Sequence, residues 1–92
     1  MYNRLFRNVW STEGSGSGQT TFNLPWPSGQ ITFSNDTSGR NMELYLGGSA
    51  FVTSRTRMTI AGNETVSFEF GTKEITISGA GDANAYRLWV LG

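Results

Sequence analysis

A chain of 92 residues with seven acidic and seven basic side chains, no cysteine and no histidine leaves room for one domain near the lower limit of what an apolar core stabilises unaided. Missing histidine and cysteine exclude a Ser-His-Asp triad, an imidazole base, disulfides, thiolate nucleophiles and zinc–thiolate centres. A formal charge of zero removes the broad pull that a basic domain exerts on nucleic acid or anionic lipid, so neither is expected as a partner.

The first ten residues, Met1 to Trp10, mix aromatic and basic side chains: Tyr2, Arg4, Leu5, Phe6, Arg7, Val9 and Trp10. No apolar run here is long enough for a signal-peptide core, and none anywhere approaches the ~20 residues that cross a bilayer, so the chain reads as a product made in the cytoplasm without export. The decapeptide has two readings: the first strand of a sheet, or an arm that grips a neighbouring subunit. Ser and Gly alternate over 14–18, which is linker composition, so residues 1–19 are expected to form an arm and linker ahead of a domain over 20–92.

From residue 20 the pattern has period two. Phe22, Leu24 and Trp26 alternate with Asn23 and Pro25, and Ile31 and Phe33 flank Thr32. Met42, Leu44 and Leu46 alternate with Glu43 and Tyr45, while Met58 and Ile60 flank Thr59. Val66, Phe68 and Phe70 alternate with Ser67 and Glu69, Ile75 and Ile77 flank Thr76, and Tyr86 to Leu91 is apolar on both faces except at Arg87. Successive strand side chains point to opposite faces, so each segment buries one face. Turn chemistry separates the runs at 27–29, 35–39, 47–49, 61–64, 71–73 and 79–82. Seven or eight short strands at this spacing predict an all-β protein, a small antiparallel β-sandwich or jelly-roll-like domain with an N-terminal arm. Phe22, Phe33, Phe68 and Phe70 are expected to supply much of the core volume.

Candidate chemistry is sparse. The carboxylates Glu13, Asp36, Glu43, Glu64, Glu69, Glu74 and Asp82 show no spacing that brings two into one cleft as a glycosidase pair requires, so no catalytic residue is nominated. Asn35 to Ser38 and Asp82 to Asn84 offer oxygen atoms but lack the spaced acidic pattern of a calcium loop, and Asx turns account for both. Gly14, Gly16 and Gly18 lack the strand, helix and lysine of a phosphate loop. No metal or cofactor is therefore expected. Asn35-Asp36-Thr37 and Asn63-Glu64-Thr65 are read as chance glycosylation triplets.

Aromatic and arginine usage carries more. Trp26, between two prolines, Tyr45, on the polar face of its strand, and Trp89, facing opposite to Leu88 and Val90, are candidates for stacking on sugar rings; burial in a core or protein interface is the competing reading. Six of the seven basic residues are arginine, the residue suited to planar pairing in protein contacts, and Arg55 and Arg57 form the nearest thing to a local basic patch.

The segments Ile31-Thr32-Phe33-Ser34-Asn35, Ala61-Gly62-Asn63-Glu64-Thr65-Val66-Ser67-Phe68 and Tyr86-Arg87-Leu88-Trp89-Val90-Leu91-Gly92 resemble small β-sandwich structural proteins of tailed-bacteriophage particles, including capsid decoration (cement) proteins. The resemblance covers about two-thirds of the chain and implies a non-enzymatic virion role, in symmetric homo-oligomers docked on a major capsid or other virion protein. It carries no catalytic motif. The arm residues from Tyr2 to Trp10 would then make the protein contacts. The alternative is a glycan-binding or receptor-binding module using Trp26, Tyr45 and Trp89.

Overall fold

The computed structural model describes residues 8–48 and 57–92. Six strands follow in chain order: β1 (Val9–Asn23), β2 (Gln30–Asn35), β3 (Met42–Leu46), β4 (Arg57–Ile60), β5 (Thr65–Glu69) and β6 (Glu74–Leu91). Every pairing is antiparallel, and no described residue is helical. The expected all-β sandwich is what the chain forms.

Six described strands build two four-stranded sheets because β1 and β6 each serve both. One sheet runs β4-β3-β6-β1, using residues 74–79 of β6 and 18–23 of β1. The other runs β5-β2-β6-β1, using residues 84–91 of β6 and 9–16 of β1. The change of sheet falls at a register break, where Gly16 lies opposite Asn84 and Gly18 opposite Gly79. One residue on β1 is spanned there by four on β6, a wide bulge of the kind that lets a strand turn a corner.

This corner corrects the reading of residues 14–18 as a linker. They belong to β1, and the boundary expected between 19 and 20 falls inside that strand. The glycines have local reasons. Gly18 takes φ +77°, which side chains resist, and a Cβ on Gly14 would stand 3.4 Å from the Tyr86 hydroxyl, so the ring lies close across bare backbone. The turn expected at 79–82 likewise lies within β6.

The core follows from alternation on the facing sides of the two sheets. Ile31, Phe33, Leu88 and Val90 of one sheet face Met42, Leu44, Ile60, Ile75 and Ile77 of the other, and Leu24 seals one end. A run of aromatic contacts lines the β1 side: Trp10 meets Phe22 edge-on at 5.6 Å, Phe22 meets Tyr86 at 6.3 Å, and Tyr86 stacks on Phe33 at 6.3 Å. Phe70 is the exception to the expected core; it follows the end of β5 and stays 46% exposed.

Loops close the two ends. Asn35 is fully buried where β2 ends, and its Nδ2 donates to the carbonyls of Arg40 (2.7 Å) and Ile60 (3.0 Å) while its Oδ1 accepts from Thr37 N (3.1 Å). The Asx turn expected there is thus also a staple between the 36–41 crossover and the end of β4. At the other end, Ser28 Oγ donates to Phe70 O and accepts from Thr72 N, and Trp26 lies so close to Gly92 that a Cβ there would stand 2.5 Å from the ring.

Candidate functional site

On the outer face of the β5-β2-β6-β1 sheet, strand alternation lines up Ser67, Thr32, Trp89 and Ser11 in one row and Thr65, Ser34, Arg87 and Glu13 in the next. Hydrogen bonds knit these rows. Gln30 Nε2 donates to Ser67 Oγ at 3.0 Å, Thr32 and Ser67 hydroxyls share a bond of 2.9 Å, and Thr65 Oγ1 donates to Ser34 Oγ at 3.0 Å. Ser34 Oγ donates a hydrogen bond to Asp36 Oδ1 at 2.6 Å.

Asp36 in turn holds Arg87 by two bonds, Nε to Oδ2 at 2.7 Å and Nη2 to Oδ1 at 3.2 Å. Such a fork matches the planar guanidinium to the planar carboxylate. The Arg87 hydrogen bonds, followed by that from Ser34, hold the Asp36 carboxyl below the usual carboxylate range, and the same pairing raises the guanidinium further. Fixed in this way, Arg87 places its guanidinium carbon 5.2 Å from the centre of the Trp89 ring, a cation–π contact. Beside the pair runs a shallow groove of about 390 Å³ lined by Ser11, Thr12, Glu13, Arg87 and Trp89.

The free side of β1 is the second candidate surface. Asn8 and Gly92 exchange both backbone bonds, Asn8 N to Gly92 O at 2.9 Å and Gly92 N to Asn8 O at 3.0 Å. In an antiparallel ladder the next residue along turns its polar groups the other way. Val9, Ser11, Glu13 and Ser15 therefore aim their N–H and C=O away from β6. Beyond the corner, the bond from Leu24 N to Lys73 O (2.7 Å) sets the same phase, so Gln19, Thr21 and Asn23 also face outward. Among the described residues no strand pairs with this side of β1.

The candidates named from sequence do not converge. Tyr45 lies on the outer face of the other sheet and is only 9% exposed, so the ring expected on a wet surface is covered. Trp26 is partly buried against the core and Gly92. Trp89 lines the groove beside Arg87, and it lies on the opposite side of the sandwich from Tyr45. Among the arm residues, Tyr2, Arg4, Leu5, Phe6 and Arg7 lie outside the described residues. Trp10 turns into the protein's own core, whereas Val9 is 72% exposed at the start of β1. Arg57 pairs with Glu43 at 3.0 Å; Arg55 lies outside the described residues. Among the described residues, no three acidic side chains gather as a metal site would require. The Asp36–Arg87 fork, spanning 51 residues of sequence, had no local signal by which sequence reading could find it.

No family model and no curated protein matches this chain. Solved structures do. A transcriptional regulator of the HTH_3 family from Vibrio cholerae superposes with TM-score 0.63 at 8% identity, over 91% of this chain and 43% of that one. A cupin superfamily protein from Desulfitobacterium hafniense gives 0.54 at 8% identity, over 98% and 83% of the two chains. A cupin domain from Bordetella pertussis gives 0.54 at 14%, over 99% and 86%. The fold is a cupin-like jelly roll. At these identities the likeness concerns architecture alone, and this chain spans less than half of the regulator's length.

Proposed function

We propose that this jelly roll is a non-enzymatic structural subunit of a virus particle, a capsid decoration or minor capsid protein that works through protein–protein contact. The observation that carries the reading is the side of β1 that no strand pairs with among the described residues. Seven residues there present backbone donors and acceptors to a partner, and the strand has no proline or lysine and a single charge, Glu13. Natural sheets guard such edges with prolines, charges or covering segments, and a long unguarded edge is a template for another strand. The resemblance of the 31–35, 61–68 and 86–92 segments to phage structural proteins supports the particle. The partner on this edge is a second copy of the chain, paired antiparallel about a two-fold axis so that both sheets continue across it. The shell protein is then met by the aromatic and basic residues from Tyr2 to Arg7.

Sedimentation velocity of the full chain and of Ser11→Pro tests this. The Ser11 N–H points away from β6, so proline there removes a partner bond without breaking a ladder bond within the subunit. An oligomer that becomes a folded monomer in Ser11→Pro is expected. A wild-type monomer at every concentration, or an oligomer indifferent to the proline, refutes pairing through β1. Removing residues 2–7, which leaves β1 whole, then asks whether capsid association needs that segment.

A further inference from the structure

The geometry points to a binding site for a neutral sugar in the groove between Trp89 and Glu13. This goes beyond the assembly role and does not depend on it.

Three features select the ligand. The first is the set of polar groups still unused. A guanidinium has five N–H donors, and Asp36 takes two of those on Arg87, which leaves three. Glu13, directly across the ladder from Arg87, accepts no hydrogen bond among the described residues, and Ser11 adds a hydroxyl in the next row. Acceptors and donors therefore alternate along one wall, as the ring hydroxyls of a pyranose require.

The second feature is the Trp89 indole, partly exposed and lining the same groove. The Arg87 guanidinium lies over this ring at 5.2 Å, so a sugar packs its C–H face on the indole surface that this contact leaves exposed, burying apolar surface while its hydroxyls stay free to bond.

Charge is the third. Glu13 and Arg87 balance within the groove lining, and Asp36, bound to Arg87 beside it, tips the surroundings to one net negative charge, which disfavours sulfated, phosphorylated or sialylated ligands. A cationic peptide is disfavoured in turn, because the Arg87 guanidinium beside the indole repels a second cation there. A volume of about 390 Å³ falls at the small end of ligand sites, enough for one or two rings.

Two-dimensional NMR of the full chain tests the proposal, with lactose, maltotriose, mannotriose and diacetylchitobiose as probes and with sialyllactose and a lysine tripeptide as charged counterparts. The expected result is a saturable shift of the Trp89 indole N–H and the Glu13 and Arg87 amides with at least one neutral sugar, while the Trp26 indole stays still. Trp89→Ala abolishes that shift. Glu13→Gln, which alters one exposed group and leaves the fold alone, weakens binding about tenfold. No shift with any neutral sugar overturns the inference. So does a response confined to sialyllactose or the tripeptide, or undiminished binding by folded Trp89→Ala. Self-association of the wild-type chain is read by sedimentation alone, so failure of the assembly reading leaves this outcome separate.

Discussion

Replacing Asn35 by alanine should be among the most costly single changes in this molecule. The side chain is fully buried and makes three hydrogen bonds, donating to Arg40 O at 2.7 Å and Ile60 O at 3.0 Å and accepting from Thr37 N at 3.1 Å. Alanine leaves all three backbone partners in place without the side chain that pairs them. The bond to Ile60 is buried, so that carbonyl bears a full desolvation penalty of about 1–3 kcal/mol. The other two bonds are part-buried and their partners can recover water, so each forfeits about 0.5–1.5 kcal/mol. A combined loss of about 2–6 kcal/mol follows, a large share of the 5–15 kcal/mol typical of a whole domain. For a domain of this size it lowers Tm by on the order of 10–50 °C. Equilibrium urea unfolding followed by tryptophan fluorescence measures it directly. A loss under about 0.5 kcal/mol would show that water replaces the amide at no cost and refute the staple. Asn35→Asp sharpens the test: it keeps the acceptor for Thr37 but turns a second oxygen on two carbonyls. It should be more damaging near neutrality than at acid pH, where a protonated carboxyl donates one of the missing bonds.

Gly62→Ala should destabilise by about 1–3 kcal/mol in the same assay, because the new methyl would stand 2.5 Å from Thr37 O and 2.7 Å from Gly39 N, both backbone atoms that cannot swing aside. The Asp36–Arg87 fork predicts a signed pH effect: the Asp36 carboxyl is lowered in the folded state, so its contribution is fully present above the unfolded value of about 4 and fades as pH falls through the folded one. The stability difference between wild type and Asp36→Asn should therefore be small but measurable at pH 7 and shrink from about pH 4 downward; a difference that is constant with pH would refute it.

Much of the fold was legible in the chain, and for a local reason. Period-two alternation across Ile31–Phe33, Met42–Leu46, Val66–Phe68 and Ile75–Ile77 reports which side of a strand meets the core, and strand geometry forces that side whatever the topology. The Asx turn at Asn35 was legible likewise, since its chemistry lies within three residues. Residues 14–18 were not. Glycine and serine look like a linker because they bury nothing, but backbone pairing needs no side chain, and the corner and the Tyr86 ring need their absence. Trp10 shows the same limit. Only the doubling of β1 across two sheets brings it against Phe22.

The lack of histidine and cysteine in these 92 residues excluded imidazole and thiol chemistry from them, and alternation determined that the chain is a sandwich. Tertiary structure decided the rest. It buried Tyr45, pinned Trp26 under the terminal glycine and left Trp89 beside an arginine held by an aspartate far away in sequence. Aromatic character is a property of the residue, whereas exposure and company belong to the strand order, which brings β1, β2 and β6 side by side. Contacts between positions 51 residues apart are written in no window of the sequence.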